Sequence, residues 1–99
     1  MSFPTGSTDL DSLRSEILRV ASAHGARNVR VFGSVARGDS GPESDLDLLV
    51  DFEPGRSLLD HAAMQLELEA LVGRNVDVAS ERGLRPRVRD RVLSEARPL

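Results

Sequence analysis

The sequence predicts an α+β domain, a small three-stranded mixed β-sheet packed against about three to four helices. Three short runs alternate apolar and polar residues in the manner of strands, at Asn28–Phe32, Asp45–Phe52 and Asn75–Ala79. Longer stretches of helical period separate and flank them, and each is closed by a Gly or Pro signal. The second and third strands are joined by a helix of some fourteen residues, the length of a right-handed crossover between parallel strands.

Residues 1–7 form a short polar leader containing Pro4 and Gly6, expected to fray. Thr8, with Asp11 three residues on, reads as the cap of a first helix, in which Leu10, Leu13, Ile17 and Val20/Ala21 recur until Gly25 ends the run. Val29 and Val31 alternate with Arg30 in the first strand, which delivers the chain into Gly33-Ser34. Ser34–Arg37 is expected to form one helical turn, and Gly38–Ser44, rich in Gly, Ser, Asp and Pro, a loop. After a Pro-Gly turn at Glu53–Arg56, Ser57 with Asp60 caps the crossover helix, which runs to about Leu71. Its expected buried side is Leu58, Leu59, Ala62, Ala63, Leu66, Ala70 and Leu71. Gly73 stops it, and a last helix starts at Pro86 and runs to about Ala96.

Ninety-nine residues suit one domain, 1–99, with a single modest core. A large substrate must then be held partly by another chain. Hydrophobic residues make up 39% and charged residues 29%, as in ordinary globular domains. The net charge of −3 lacks the cationic field that non-specific nucleic-acid binding draws upon, so direct binding to DNA or RNA is not expected. No cysteine is present, which excludes disulfides, zinc ribbons and thiol chemistry. Neither a signal peptide nor a membrane span is legible, and a cytoplasmic location is the expectation.

The chemistry lies between Gly33 and Asp77. Alternate side chains of a strand share a face, so Asp45 and Asp47 project together, about 7 Å apart at their backbones, while Leu46, Leu48 and Val50 fill the other side. Asp77 stands between two valines on the third strand. Three carboxylates on one face repel by roughly 2 to 3 kcal/mol per pair at 6 Å, a cost that a bound cation removes. Hard oxygen donors without His or Cys favour Mg²⁺ or Mn²⁺ over zinc, and Mg²⁺ takes substrate phosphates beside one or two carboxylates, so a nucleotide is the natural second half of the site. Gly33 lets the backbone approach a phosphate, the amides of Ser34 and Val35 face it, the Ser34 hydroxyl adds a hydrogen bond and Arg37 a charge-assisted one.

These residues resemble a known family. Gly33-Ser34, a gap of ten residues, Asp45-Leu46-Asp47 on one strand and Asp77 on another look like the DNA polymerase β nucleotidyltransferase superfamily. More closely, GSVARG, SDLDLLVDFEPGRSLLD and NVDV are similar to the minimal nucleotidyltransferases, the antitoxins of HEPN/MNT toxin–antitoxin pairs, from about Asn28 to Leu99. The resemblance implies two Mg²⁺ ions on Asp45 and Asp47, with Asp77 completing the site that activates the attacking hydroxyl. It implies ATP as donor, held by Gly33 and Ser34, and transfer of AMP to a hydroxyl, a tyrosine of the HEPN toxin, with release of pyrophosphate. Two other readings stand beside it, an antitoxin that neutralises its partner by binding alone, and a nucleotidyltransferase with a small-molecule or RNA acceptor.

His24 and His61 have no evident catalytic partner and read as structural or exposed. Arg85, Arg87, Arg89 and Arg91 read as a solvated surface, with contact to an acidic partner or a phosphate as the alternative.

Overall fold

The computed structural model describes residues 7–38 and 45–99, residues 7–12 by their backbone alone. Residues 1–6 of the expected leader and most of the expected loop at Gly38–Ser44 lie outside the described residues, while Ser7 already opens the first helix. The elements run α1 (Ser7–Ala23), β1 (Ala26–Phe32), α2 (Gly33–Arg37), β2 (Leu46–Phe52), α3 (Leu58–Val72), β3 (Val76–Ser80), a 3₁₀ turn (Glu81–Gly83), α4 (Pro86–Glu95) and β4 (Arg97–Pro98). α1 already includes Thr8, its expected cap.

The sheet order is β3-β2-β1-β4. β1 is antiparallel to β2 and β4, while β2 and β3 are parallel and joined by α3. The sheet thus has four strands where three are expected. Two residues, one of them proline, carry no strand pattern, and proline is tolerated there because β4 is an edge. A bulge between Arg27 and Arg30 lengthens β1 beyond its expected start; Asn28 takes a left-handed φ of 54° and its side-chain amide donates to Asp51 Oδ2 at 3.1 Å.

The core fills one face of the sheet. Ile17 and Ala21 of α1, Met64 and Leu68 of α3, and Val29, Val31, Leu46, Leu48, Val50, Val76 and Val78 of the strands form one buried cluster. The opposite face mixes polar residues with apolar ones, Leu49 among them fully buried. Cross-strand partners share a face, which groups Phe32 with Asp47 and Asp77, and Arg30 with Leu49 and Ala79.

The buried side of α3 differs from the expectation. Leu58, Leu59 and Leu66 are 84%, 81% and 66% exposed, Ala62 and Ala70 are exposed as well, and Ala63 and Leu71 are half-buried, whereas Met64 and Leu68 are fully buried. Ten of the fifteen residues of α3 are Leu, Ala, Met or Val, so apolar side chains surround the helix and its period does not say which side faces the sheet. The polar residues decide the orientation. Val76 N–H donates to Glu69 Oε2 at 3.1 Å, Val78 N–H to Gln65 Oε1 at 3.3 Å, and His61 Nε2 donates to the Val78 carbonyl at 2.6 Å. Residues 61, 65 and 69 recur every four positions and satisfy the outward backbone groups of the edge strand β3, as a further strand would. His61, also stacked 5.3 Å from the Phe52 ring, is structural as expected.

The start of α3 follows its reading closely. Ser57 Oγ accepts from Leu59 N–H at 3.2 Å, and Asp60 Oδ2 accepts from Ser57 N–H at 3.2 Å, a complete capping box.

Candidate active site

The site is assembled where β1 ends beside β2. Phe32, the last residue of β1, is the cross-strand partner of Asp47. Gly33 then turns the chain into α2 with φ +73°, a conformation that side chains with a Cβ rarely adopt. A Cβ on Gly33 would overlap Asp47 Oδ2, so the bend and the carboxylate are in direct apposition.

Asp47 and Asp77 occupy the same rung of the parallel β2–β3 ladder, which sets their backbones about 4.8 Å apart. Asp45 precedes β2 and is exposed, and the start of that strand is fixed by Leu46 N–H donating to the Asn75 carbonyl at 2.9 Å. The Asp47 carboxyl is pushed up from its ordinary value, first by burial, then by the charge of Asp77, then by that of Asp45, with Arg37 opposing. The three aspartates named from sequence therefore share one electrostatic neighbourhood. Among the described residues, no three His, Cys, Asp or Glu side chains are drawn together tightly enough to hold an ion unaided.

Ser34 is half-buried at the first turn of α2, and its carbonyl accepts from Gly38 N–H, closing the short helix. Arg37, at the other end of α2, donates through Nη1 to Glu95 Oε1 of α4 at 3.1 Å. The structure thus gathers Gly33, Ser34, Arg37, Asp45, Asp47 and Asp77 at one end of the sheet.

Glu95 escaped the sequence reading, because a glutamate four residues after Arg91 looks like an exposed helix pair. Arg91 Nε does approach Glu95 Oε2 at 3.5 Å, yet Glu95 is only 22% exposed and reaches inward to Arg37. Arg85 and Arg87 are exposed as expected, while Arg89 pairs with Glu81 at 3.5 Å. Glu81 also lies 3.9 Å from Arg30, which reaches Asp51 at 3.4 Å, so a line of alternating charge runs from Arg89 of α4 to Asp51 of β2. His24 pairs with Glu67 at 3.3 Å, away from the site.

A separate cleft of about 670 Å³ opens at the far end of β2, lined among others by Arg27, Asp51, Phe52, Glu81 and Arg82. None of the three site aspartates lines it, so its size carries no weight for the chemistry. Among the described residues no helix is long and apolar enough to cross a membrane.

Comparison with known proteins agrees with this geometry. Residues 14–99 match the model of the nucleotidyltransferase domain family. A protein of Methanocaldococcus jannaschii, provisionally named a protein adenylyltransferase, is 36% identical over 88 residues, 89% of this chain and 95% of its own. The protein adenylyltransferase MntA of Thermococcus cleftensis is 42% identical over 71 residues, 72% of each chain. A solved structure described provisionally as a minimal nucleotidyltransferase superposes with a TM-score of 0.86 at 56% identity, covering 96% of this chain and 97% of that one. A toxin–antitoxin structure with AMP-PNP shares the fold at 16% identity, with a TM-score of 0.74 over 85% of this chain and 69% of that one. The Gly-Ser bend set against paired strand aspartates, the α+β architecture and these similarities converge: the chain belongs to the nucleotidyltransferase domain family, with the minimal nucleotidyltransferases as its kin.

Proposed function

We propose that this protein is a Mg²⁺-dependent protein adenylyltransferase that moves AMP from ATP to a hydroxyl, a tyrosine, of a HEPN-type toxin and so acts as its antitoxin. The observation that carries the reading is the Asp47 carboxylate, half-buried beside two further aspartates and pressed against the Gly33 bend. Relatives named as protein adenylyltransferases support the reaction, and a toxin–antitoxin assembly with an ATP analogue supports nucleotide and partner.

The donor set fits a hard divalent cation, since it consists of carboxylates alone and their mutual repulsion falls when positive charge arrives. Asp45, Asp47 and Asp77 would hold the metal, which when bound supplies charge to the α-phosphate and favours the ionised form of the attacking hydroxyl. Gly33 leaves room for the terminal phosphates, and the backbone amide and hydroxyl of Ser34 would bond them, with Arg37 as a charged partner. The acceptor oxygen attacks the α-phosphorus in line, the bond to the bridging oxygen breaks, and pyrophosphate leaves. Asp77, an exposed residue of β3, would receive the hydroxyl proton.

The exposed leucines of α3 favour a second reading, in which the protein neutralises its partner by contact alone. One experiment separates the two. The HEPN protein is incubated with this chain, ATP and Mg²⁺ and its mass measured; gain of one AMP on a tyrosine supports transfer, and an unmodified toxin overturns it. Full neutralisation by a double Asp45→Asn, Asp47→Asn variant would instead establish the contact mechanism.

A further inference from the structure

We infer that Glu95, in the last turn of α4, is a positioning residue for nucleotide binding, holding the Arg37 guanidinium beside the Gly33–Ser34 bend and off the Asp47 carboxylate. The inference rests on the reading of Arg37 as a phosphate contact.

Arg37 is a long side chain, 45% exposed, and such a side chain loses substantial rotamer freedom when it is fixed. Asp47 and Glu95 both attract it. Asp47 is near enough for the arginine charge to lower its proton affinity, and Arg37 Nη1 donates to Glu95 Oε1 at 3.1 Å. Without Glu95 the guanidinium is drawn toward the site aspartates, where it would occupy the charge that a metal–nucleotide complex must use.

Glu95 is suited to act as the fixed partner. It is the less exposed of the two side chains, and Arg91 holds its other oxygen. Two residues later the chain enters β4, where Arg97 and Pro98 pair with Val31 and Arg30, so the backbone next to Glu95 is anchored on the sheet. No residue of α4 is buried, and its first half is tied separately, through Arg89 to Glu81. Among the described residues, α4 is thus tied to other elements by the Arg37–Glu95 pair, which reaches the site, and by the Arg89–Glu81 pair, which does not. A guanidinium carries five N–H donors, so a bond from Nη1 to Glu95 is compatible with a second anionic partner.

The test measures the affinity of AMP-PNP in the presence of Mg²⁺ by titration calorimetry, together with melting temperatures. The variants are Arg37→Ala, Glu95→Ala, Glu95→Gln, the Arg37→Ala/Glu95→Ala pair, and Arg89→Ala as the cut through the other tie. Expected are losses of about tenfold for Arg37→Ala and Glu95→Ala, no further loss in the double variant, and partial recovery in Glu95→Gln, which keeps an acceptor. Arg89→Ala should bind as the wild type does while melting at a lower temperature.

Wild-type affinity in Glu95→Ala with a loss in Arg37→Ala would overturn the role of Glu95 and leave the nucleotide reading standing. Equal losses in Glu95→Ala and Arg89→Ala would reduce Glu95 to a tether of the helix and overturn it as well. Unchanged affinity in Arg37→Ala would remove Arg37 from the nucleotide site and the inference with it, and absence of AMP-PNP binding by the wild type would fell the nucleotide reading itself.

Discussion

Gly33 and Asp47 are in direct contact across the junction of β1 and β2, with no space between them for a single methyl group. Gly33→Ala must therefore displace the carboxylate or the bend, in addition to adopting a left-handed φ that costs about 1 to 2 kcal/mol. Gly38 separates the two costs, because it has a similar φ of +80° and nothing within 4 Å of an added Cβ. Gly38→Ala should lower the melting temperature while retaining most activity. Gly33→Ala should also lose about a hundredfold in kcat/KM, the scale on which small misplacements of reacting groups act. Equal activity in the two variants would show that the Gly33–Asp47 contact is incidental.

The raised proton affinity of Asp47 has a definite sign in stability. A folded-state pKa above the unfolded one means that the native state binds more protons between the two values, so the unfolding free energy falls as pH rises through that window. The penalty is absent in acid, below the unfolded pKa, and fully present above the folded one. Metal-free Asp47→Asn should accordingly melt with the wild type in acid and above it near neutrality. Transfer by the same variant should fall by well over a hundredfold, more than about 2.7 kcal/mol in the barrier. Melting curves across pH check the first half and a transfer assay the second; an Asn variant no more stable than wild type at neutral pH would contradict the repulsion.

The orientation of α3 makes a pair of leucines two residues apart unequal. Leu68 is fully buried and Leu66 is 66% exposed, although Leu66 is the one of the two expected in the core. Leu68→Ala should cost about 2 to 5 kcal/mol through lost burial and the cavity left behind. Leu66→Ala should stay within about 0.5 kcal/mol. Urea unfolding of both variants measures the difference, and comparable losses would mean that the helix faces the other way.

The parts of this molecule that were legible in the sequence are those whose chemistry is local. Asp45-Leu46-Asp47 declares its faces by strand alternation, Ser57 and Asp60 declare a cap, and Gly33-Ser34 declares a bend, each within a few residues. What escaped depends on partners distant in the chain. α3 is apolar on nearly every side, so its orientation is settled by Gln65 and Glu69 meeting amides of β3 that no helical pattern anticipates. β4 is too short to carry a period, and Glu95 acquires meaning only because that strand sets it opposite Arg37, 58 residues earlier. Asp77 was legible for the opposite reason, since a carboxylate between two buried valines is conspicuous within its own strand.

The side chains that close the open edge of the sheet give the last prediction. Val76 N–H and Val78 N–H point away from β2 and are met by Glu69 and Gln65. Replacing either acceptor by leucine keeps the bulk and removes the bond, which leaves a partly buried amide unsatisfied at a cost of about 1 to 3 kcal/mol. Glu69→Gln retains an acceptor oxygen and should remain within about 0.5 kcal/mol of wild type. The two leucine changes together would also free the edge of β3 to pair with another chain, because an unpaired strand edge is a template for association. Hydrogen exchange should therefore accelerate at Val76 in Glu69→Leu and at Val78 in Gln65→Leu, with light scattering reporting self-association of the double variant. Protection that persists at both amides in that variant would mean that the backbone of β3 is satisfied by some other group and that the helix does not stand in for a strand.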